Sequence, residues 1–135
     1  MLIFSDNFGT DIDASLLKQE HQALKTLLRQ EDWENETSKF NKPLSPEVLI
    51  SYRLCSQLVG AYQVAGKRDL LAYITYKAMR MVLVNGPSEH AIILYTVYSG
   101  MLIKQGNYTE AQKLANRALT LLERYPQCAD LPYVC

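Results

Sequence analysis

Apolar residues return every three or four positions along most of this chain, which is the period of a helix with one buried side. The cleanest stretch ends at Pro126. There Ala111, Ala115, Ala118, Leu119 and Leu122 line one face. Glu110, Gln112, Lys113, Asn116, Arg117, Thr120 and Glu123 take the other. Three alanines on the apolar side imply a close helix contact, since little side chain separates the backbones. Asn107 reads as the N-cap, with Glu110 three residues on in capping-box position, and Pro126 stops the helix after Tyr125.

The segment before it, Ser88 to Gln105, has a different pattern. Ile92, Ile93, Leu94, Tyr95, Val97, Tyr98, Met101, Leu102 and Ile103 surround nearly the whole helix. A helix apolar all round is buried on more than one side. Ser99, Gly100 and Lys104 interrupt it, whereas a membrane span needs about 20 mostly apolar residues. An inner helix, touching its own partner and its neighbours in a stack, fits the pattern. A Gly106-Asn107 turn joins the two helices.

Upstream, Asp6, Asn7, Gly9, Asp11 and Asp13 cluster in an irregular opening of residues 1–13. They lack the spacing and the closing Glu of a calcium loop, so Asp13 or Ser15 reads as a helix N-cap. A helix to about Glu31 carries Leu17, Leu24 and Leu28 on one face, widened by Leu16 and Leu27, with Trp33 packing at its end. Residues 34–42 are polar and read as a loop. Ser45 as N-cap and Pro46 at the first helical position open a helix to about Ala65. After Gly66 a further helix runs from about Asp69 to Val84, and Asn85-Gly86 suits a left-handed cap. Residues 127–135 form a tail with Leu131, Tyr133 and Val134, read as the start of a truncated next unit.

A repeat connects these helices. Leu54, Gly60, Gly66 and Ala78 recur 40 residues later as Leu94, Gly100, Gly106 and Ala118, and Met79, Met81 and Val82 meet Leu119, Leu121 and Leu122. The identities fall on turn and packing positions. Two hairpins, about 46–85 and 87–125, with an extra helix before them, make one helical-repeat domain over residues 14–126.

The second hairpin resembles a tetratricopeptide repeat. Tyr95 and Tyr98 stand at its aromatic and large apolar positions, Ser99 at a small one, and Leu102 one turn later; Gly106, Tyr108, Ala111, Ala118 and Leu119 match the turn and second helix. The closing Pro arrives a few residues late. The resemblance implies an all-α stack of about five helices, wound as a short right-handed α-α superhelix. It also implies a concave partner-binding surface of Arg53, Ser56, Gln63, Ile93, Thr96, Ile103 and Lys104, with Gly60 and Gly100 between them. The Lys and Asn residues with which some tetratricopeptide domains clamp a carboxylate are absent there.

Asn85 to Ala91, Tyr98-Ser99-Gly100 and Ala118 to Arg124, with Leu44 to Glu47 and Ala61-Tyr62 upstream, are also similar to a larger family. It is the helical-repeat region that follows the ATPase module of multidomain kinase, ATPase and sensor histidine kinase signalling proteins. That resemblance implies a regulatory scaffold role. Its alternative form is a structural piece of such a protein with no activity of its own. None of that family's catalytic motifs carries over.

Composition narrows the field further. The 135 residues are 48% hydrophobic and 21% charged, the usual proportions of one globular domain. Lys and Arg total 14, as do Asp and Glu. A nucleic-acid binder carries a basic excess, and a net charge near zero favours association. Cys55, Cys128 and Cys135 form no C-x-x-C pair and read as reduced thiols. MLIF is too short for a signal-peptide core, so the sequons at Asn35 and Asn107 have no role, and a cytoplasmic location is expected.

Gly60 to Arg68 imitates a phosphate-binding loop but has five residues between the glycines and Arg68 in place of the hydroxyl. His21 and His90 belong to no metal motif, and His90 and Glu89 should be solvated at a helix start. Nine tyrosines without basic interleaving read as packing. The expectation is a non-enzymatic protein-interaction module with no cofactor, no nucleic acid and no membrane, whose partner is another protein, another domain or a second copy.

Overall fold

The computed structural model describes residues 13–31, 33 and 43–126. The expectations for residues 1–12, 34–42 and 127–135, including Cys128 and Cys135, lie outside them. The described residues form five helices and no strand. They are α1 (Ala14–Gln30), α2 (Pro46–Ala65), α3 (Arg68–Asn85), α4 (Ala91–Lys104) and α5 (Tyr108–Arg124).

Local chemistry sets most of the boundaries. The Asp13 carboxylate accepts from the Ser15 amide at 2.9 Å, and the Ser45 hydroxyl from the Val48 amide at 3.3 Å. Pro46 opens α2 because its missing N–H would have been unbonded in the first turn. Helices α2 and α4 both end in a Schellman motif. Gly66 N–H donates to Gln63 O at 3.3 Å and Lys67 N–H to Tyr62 O at 3.0 Å. Gly106 N–H donates to Ile103 O at 3.0 Å and Asn107 N–H to Leu102 O at 2.9 Å. Both glycines are left-handed, at φ 70° and 81°, a conformation that Gly adopts freely. The repeat read from the sequence thus reappears, atom for atom, in two turns.

Three local expectations are corrected. Gly86 is not a left-handed cap: it has φ 103° and ψ 160°, because Pro87 drives the residue before it to extended ψ. Asn107 occupies the N-cap position but makes no side-chain cap bond, since the Schellman turn already sets its backbone. Helix α4 begins at Ala91 rather than Ser88, and the Ser88 hydroxyl instead accepts from the His90 amide at 3.2 Å.

The helices pack in chain order, α2 on α3, α3 on α4 and α4 on α5, with α2 also touching α4. Helix α4 is buried nearly all round, as its pattern predicts, and Leu94, Tyr95, Tyr98 and Leu102 are almost completely enclosed. The Ser99 hydroxyl donates to Ala111 O at 2.9 Å, a contact that only small residues on both helices permit. The main packing partner of α1 is α3, so this first helix lies against the hairpin stack through Leu24 and Leu28.

Helix α5 turns a different face inward from the one expected. Ala111, Leu114, Ala118 and Leu121 are buried together with Arg117, whereas Leu119 is exposed. Both stripes share Ala111 and Ala118, so spacing alone does not choose between them. The observed setting encloses Leu114 and Leu121 and pairs Arg117 with Glu31, just beyond α1.

Candidate functional site

Helices α2 and α4 hold the residues assigned to a concave surface. Arg53, Gln63, Thr96, Ile103 and Lys104 are exposed there. Ser56 and Ile93 are not and cannot meet a partner directly. The Ser56 hydroxyl is turned back onto Arg53 O at 2.8 Å, and Ile93 is part of the core. Of the exposed residues in this set, Gln63, Ile103 and Lys104 lie at the C-terminal turns of the two helices, with Arg53 and Thr96 earlier along them. Gln63-Val64 on α2 and Ile103-Lys104 on α4 occupy equivalent repeat positions, and all four are exposed. Each pair presents one apolar and one polar side chain. No Cβ placed on Gly100 would meet another group, so the surface is open between Thr96 and Lys104.

A second constellation fastens α1 to the stack. The His21 ring stacks on Tyr76 of α3, with centroids 4.3 Å apart and planes 4° from parallel. It meets Tyr98 of α4 edge-on, and His21 Nε2 lies 2.9 Å from the Tyr98 hydroxyl in a hydrogen bond. Burial, with Lys25 adding repulsion, lowers the His21 pKa to about 4, so the ring is neutral near pH 7. Burial, with Tyr76 and Glu110 adding to it, pushes the Tyr98 phenol up. Along the same helix Glu20 takes Arg80 Nη1 at 2.6 Å and Lys77 Nζ at 3.8 Å.

The third feature joins the ends of α1 and α5. Arg117 Nη1 donates to Glu31 Oε1 at 2.7 Å, with side chains only 3% and 4% exposed. The Trp33 ring covers the guanidinium at 4.3 Å, a cation–π contact strengthened by the loss of water. A cleft of about 540 Å³ borders this pair, and its wall sets Lys25, Arg29 and Lys113 against Glu110.

Titratable groups elsewhere look structural. Cys55 is a buried free thiol whose pKa burial pushes up to about 12, which keeps it protonated and unreactive at neutral pH. The Tyr52 hydroxyl lies 2.7 Å from Gly86 O and 3.1 Å from Met81 O, tying α2 to the end of α3. His90, expected in solvent, keeps 13% of its side-chain surface, with Nε2 3.9 Å from Glu89. Among the described residues no group of three or more His, Cys, Asp or Glu is placed to hold a metal ion. No helix there is long and apolar enough to cross a membrane.

No protein-family model matches the chain, and neither a curated protein nor a solved structure matches it significantly. Sequence reasoning missed the Glu31–Arg117–Trp33 lock, because residues 86 positions apart leave no periodic trace of their pairing. The one available signal was an Arg at a helical step from Leu114 and Leu121, on the edge of the stripe that is in fact buried.

Proposed function

We propose that the chain is a protein-binding module of tetratricopeptide-like helical repeats, working as a cytoplasmic scaffold in signalling. The observation that carries this reading is the equivalent pairing of Gln63-Val64 and Ile103-Lys104 at the open turns of α2 and α4, where two apolar side chains remain in water. Gln63 and Lys104 flank them with donors on the same turns, and Thr96 adds a hydroxyl earlier on α4. An extended or helical segment of a partner protein would seat its apolar residues on Val64 and Ile103 and its carbonyl or carboxylate groups on the flanking polar side chains. The mechanism is preformed shape, since the helices beneath are packed before any partner arrives.

Selection from a displayed peptide library tests this, using wild-type chain as bait and a Val64→Asp, Ile103→Asp double variant for counter-selection. The expected result is a shared sequence pattern among peptides that bind wild type and lose at least about tenfold in affinity for the variant. Enriched peptides that bind both proteins equally, or no enrichment at all, would remove this surface as the binding site. Running the selection in a Leu119→Glu background keeps self-association from competing.

A further inference from the structure

The internal repeat makes it possible to ask, position by position, what each hairpin buries that the other leaves open. Leu94 on α4 is completely buried, while its repeat mate Leu54 on α2 is 41% exposed. Ile50, one turn earlier, is 59% exposed, and its mate His90 is largely covered. Helix α3 is what packs against α4, whereas α2, one hairpin earlier, has no described helix in that position.

The opposite end of the stack shows the complementary difference. Met79 and Val82 on α3 are buried, and so is Thr75. Their mates on α5 are Leu119, 58% exposed, the partly exposed Leu122 and Ala115. Helix α3 packs on α4, and on α5 the positions equivalent to these buried α3 residues are left open among the described residues. One open face is the socket of the α3–α4 contact, and the other is its plug.

The charges match as well. Leu83 and Ile93 stand equally far along the chain from Ser88, on either side of the α3–α4 corner, and both are buried. Their repeat mates are Glu123 and Arg53, of opposite sign and both exposed. Two positions that are apolar and buried at the α3–α4 corner thus carry opposite charges on α5 and α2, as suits the rim of a contact between molecules.

We propose that this chain associates with itself head to tail, the outer face of α5 in one copy seating on the outer face of α2 in the next and reproducing the α3–α4 contact. The two faces are different surfaces, so the contact is heterologous. It does not close in a dimer but adds copies in a row. The absence of net charge on the chain leaves no general repulsion to oppose this. The surface used is separate from the Val64 and Ile103 turns, so either reading can fail alone.

Sedimentation velocity over a concentration series tests the proposal on the full chain, with Leu54→Glu and Leu119→Glu variants. Both side chains are exposed, so circular dichroism and melting should match wild type; Leu54→Gln and Leu119→Gln serve if the charged forms do not. The wild-type mass should climb past that of a dimer as concentration rises. Each variant alone should stay monomeric. An equimolar mixture of the two should form a one-to-one dimer and stop, because each supplies the face the other lacks. Glu123→Arg should weaken association up to about fivefold, and adding Arg53→Glu to the same chain should restore it. A wild type that stays monomeric throughout would overturn the proposal. So would a variant that self-associates like wild type, or a mixture that remains monomeric.

Discussion

Arg117 ties α5 to the end of α1, and its contribution is measurable. With Glu31 it forms a pair almost sealed from water, and removing one partner leaves the other charge buried. Arg117→Ala should therefore cost about 3–5 kcal/mol in urea unfolding, while Arg117→Met combined with Glu31→Leu should recover most of that loss. A single variant within about 1 kcal/mol of wild type would show that the pair is solvated in solution. His21 gives a second residue-scale prediction. Its folded pKa, about 4, lies below the ordinary value of 6.5, so between those values the unfolded chain binds a proton that the folded chain does not. Its contribution is complete above pH 6.5 and is lost as pH falls toward 4. For a half-buried ring this amounts to about 1–2 kcal/mol after allowance for solvent screening. Urea midpoints at pH 7 and pH 4.5 should show that much more acid sensitivity in wild type than in His21→Asn. Equal sensitivity in the two proteins would rule out the stacked, neutral ring.

At the scale of elements, the sequence spoke clearly wherever one residue fixes the backbone. Ser45-Pro46, Gly66 and Gly106 placed helix ends to within a residue or two, because each acts through its own φ or its own hydrogen bond. The all-round apolar character of α4 likewise announced its central place. What could not be read was rotation. Leu119 and Leu114 both lie beside Ala111 and Ala118 on a helical wheel, and only the position of α1 against the stack separates them. The same lack hides the burial of Ile93 and Ser56, whose neighbours Thr96 and Arg53 on the same helices are exposed. The two Schellman glycines provide the element-scale test. Gly66→Ala and Gly106→Ala should each cost about 1–2 kcal/mol, because an added Cβ meets nothing within 4 Å at either place and the backbone conformation is the whole penalty. Denaturant melts giving unequal losses, differing by more than about 1 kcal/mol, would mean that the two turns are not equivalent.

For the whole molecule, the central claim is that one hairpin design occurs twice, so that the contact closed between α3 and α4 is left open on α2 and α5. Fold class and repeat length were legible in the chain itself. The uncovered faces were not, because exposure at Leu54 and Leu119 depends on which helices pack beside them, and nothing local to those residues records it. The most direct measurement is amide hydrogen exchange on wild-type chain at low and high concentration, read helix by helix. In dilute solution α4 should be the most protected helix, with α2 and α5 opening more readily on their uncovered sides. Raising the concentration should slow exchange in α2 and α5 toward the α4 level and leave α3 and α4 unchanged. Protection that is independent of concentration, or that is already equal in α2 and α4 when dilute, would contradict the claim.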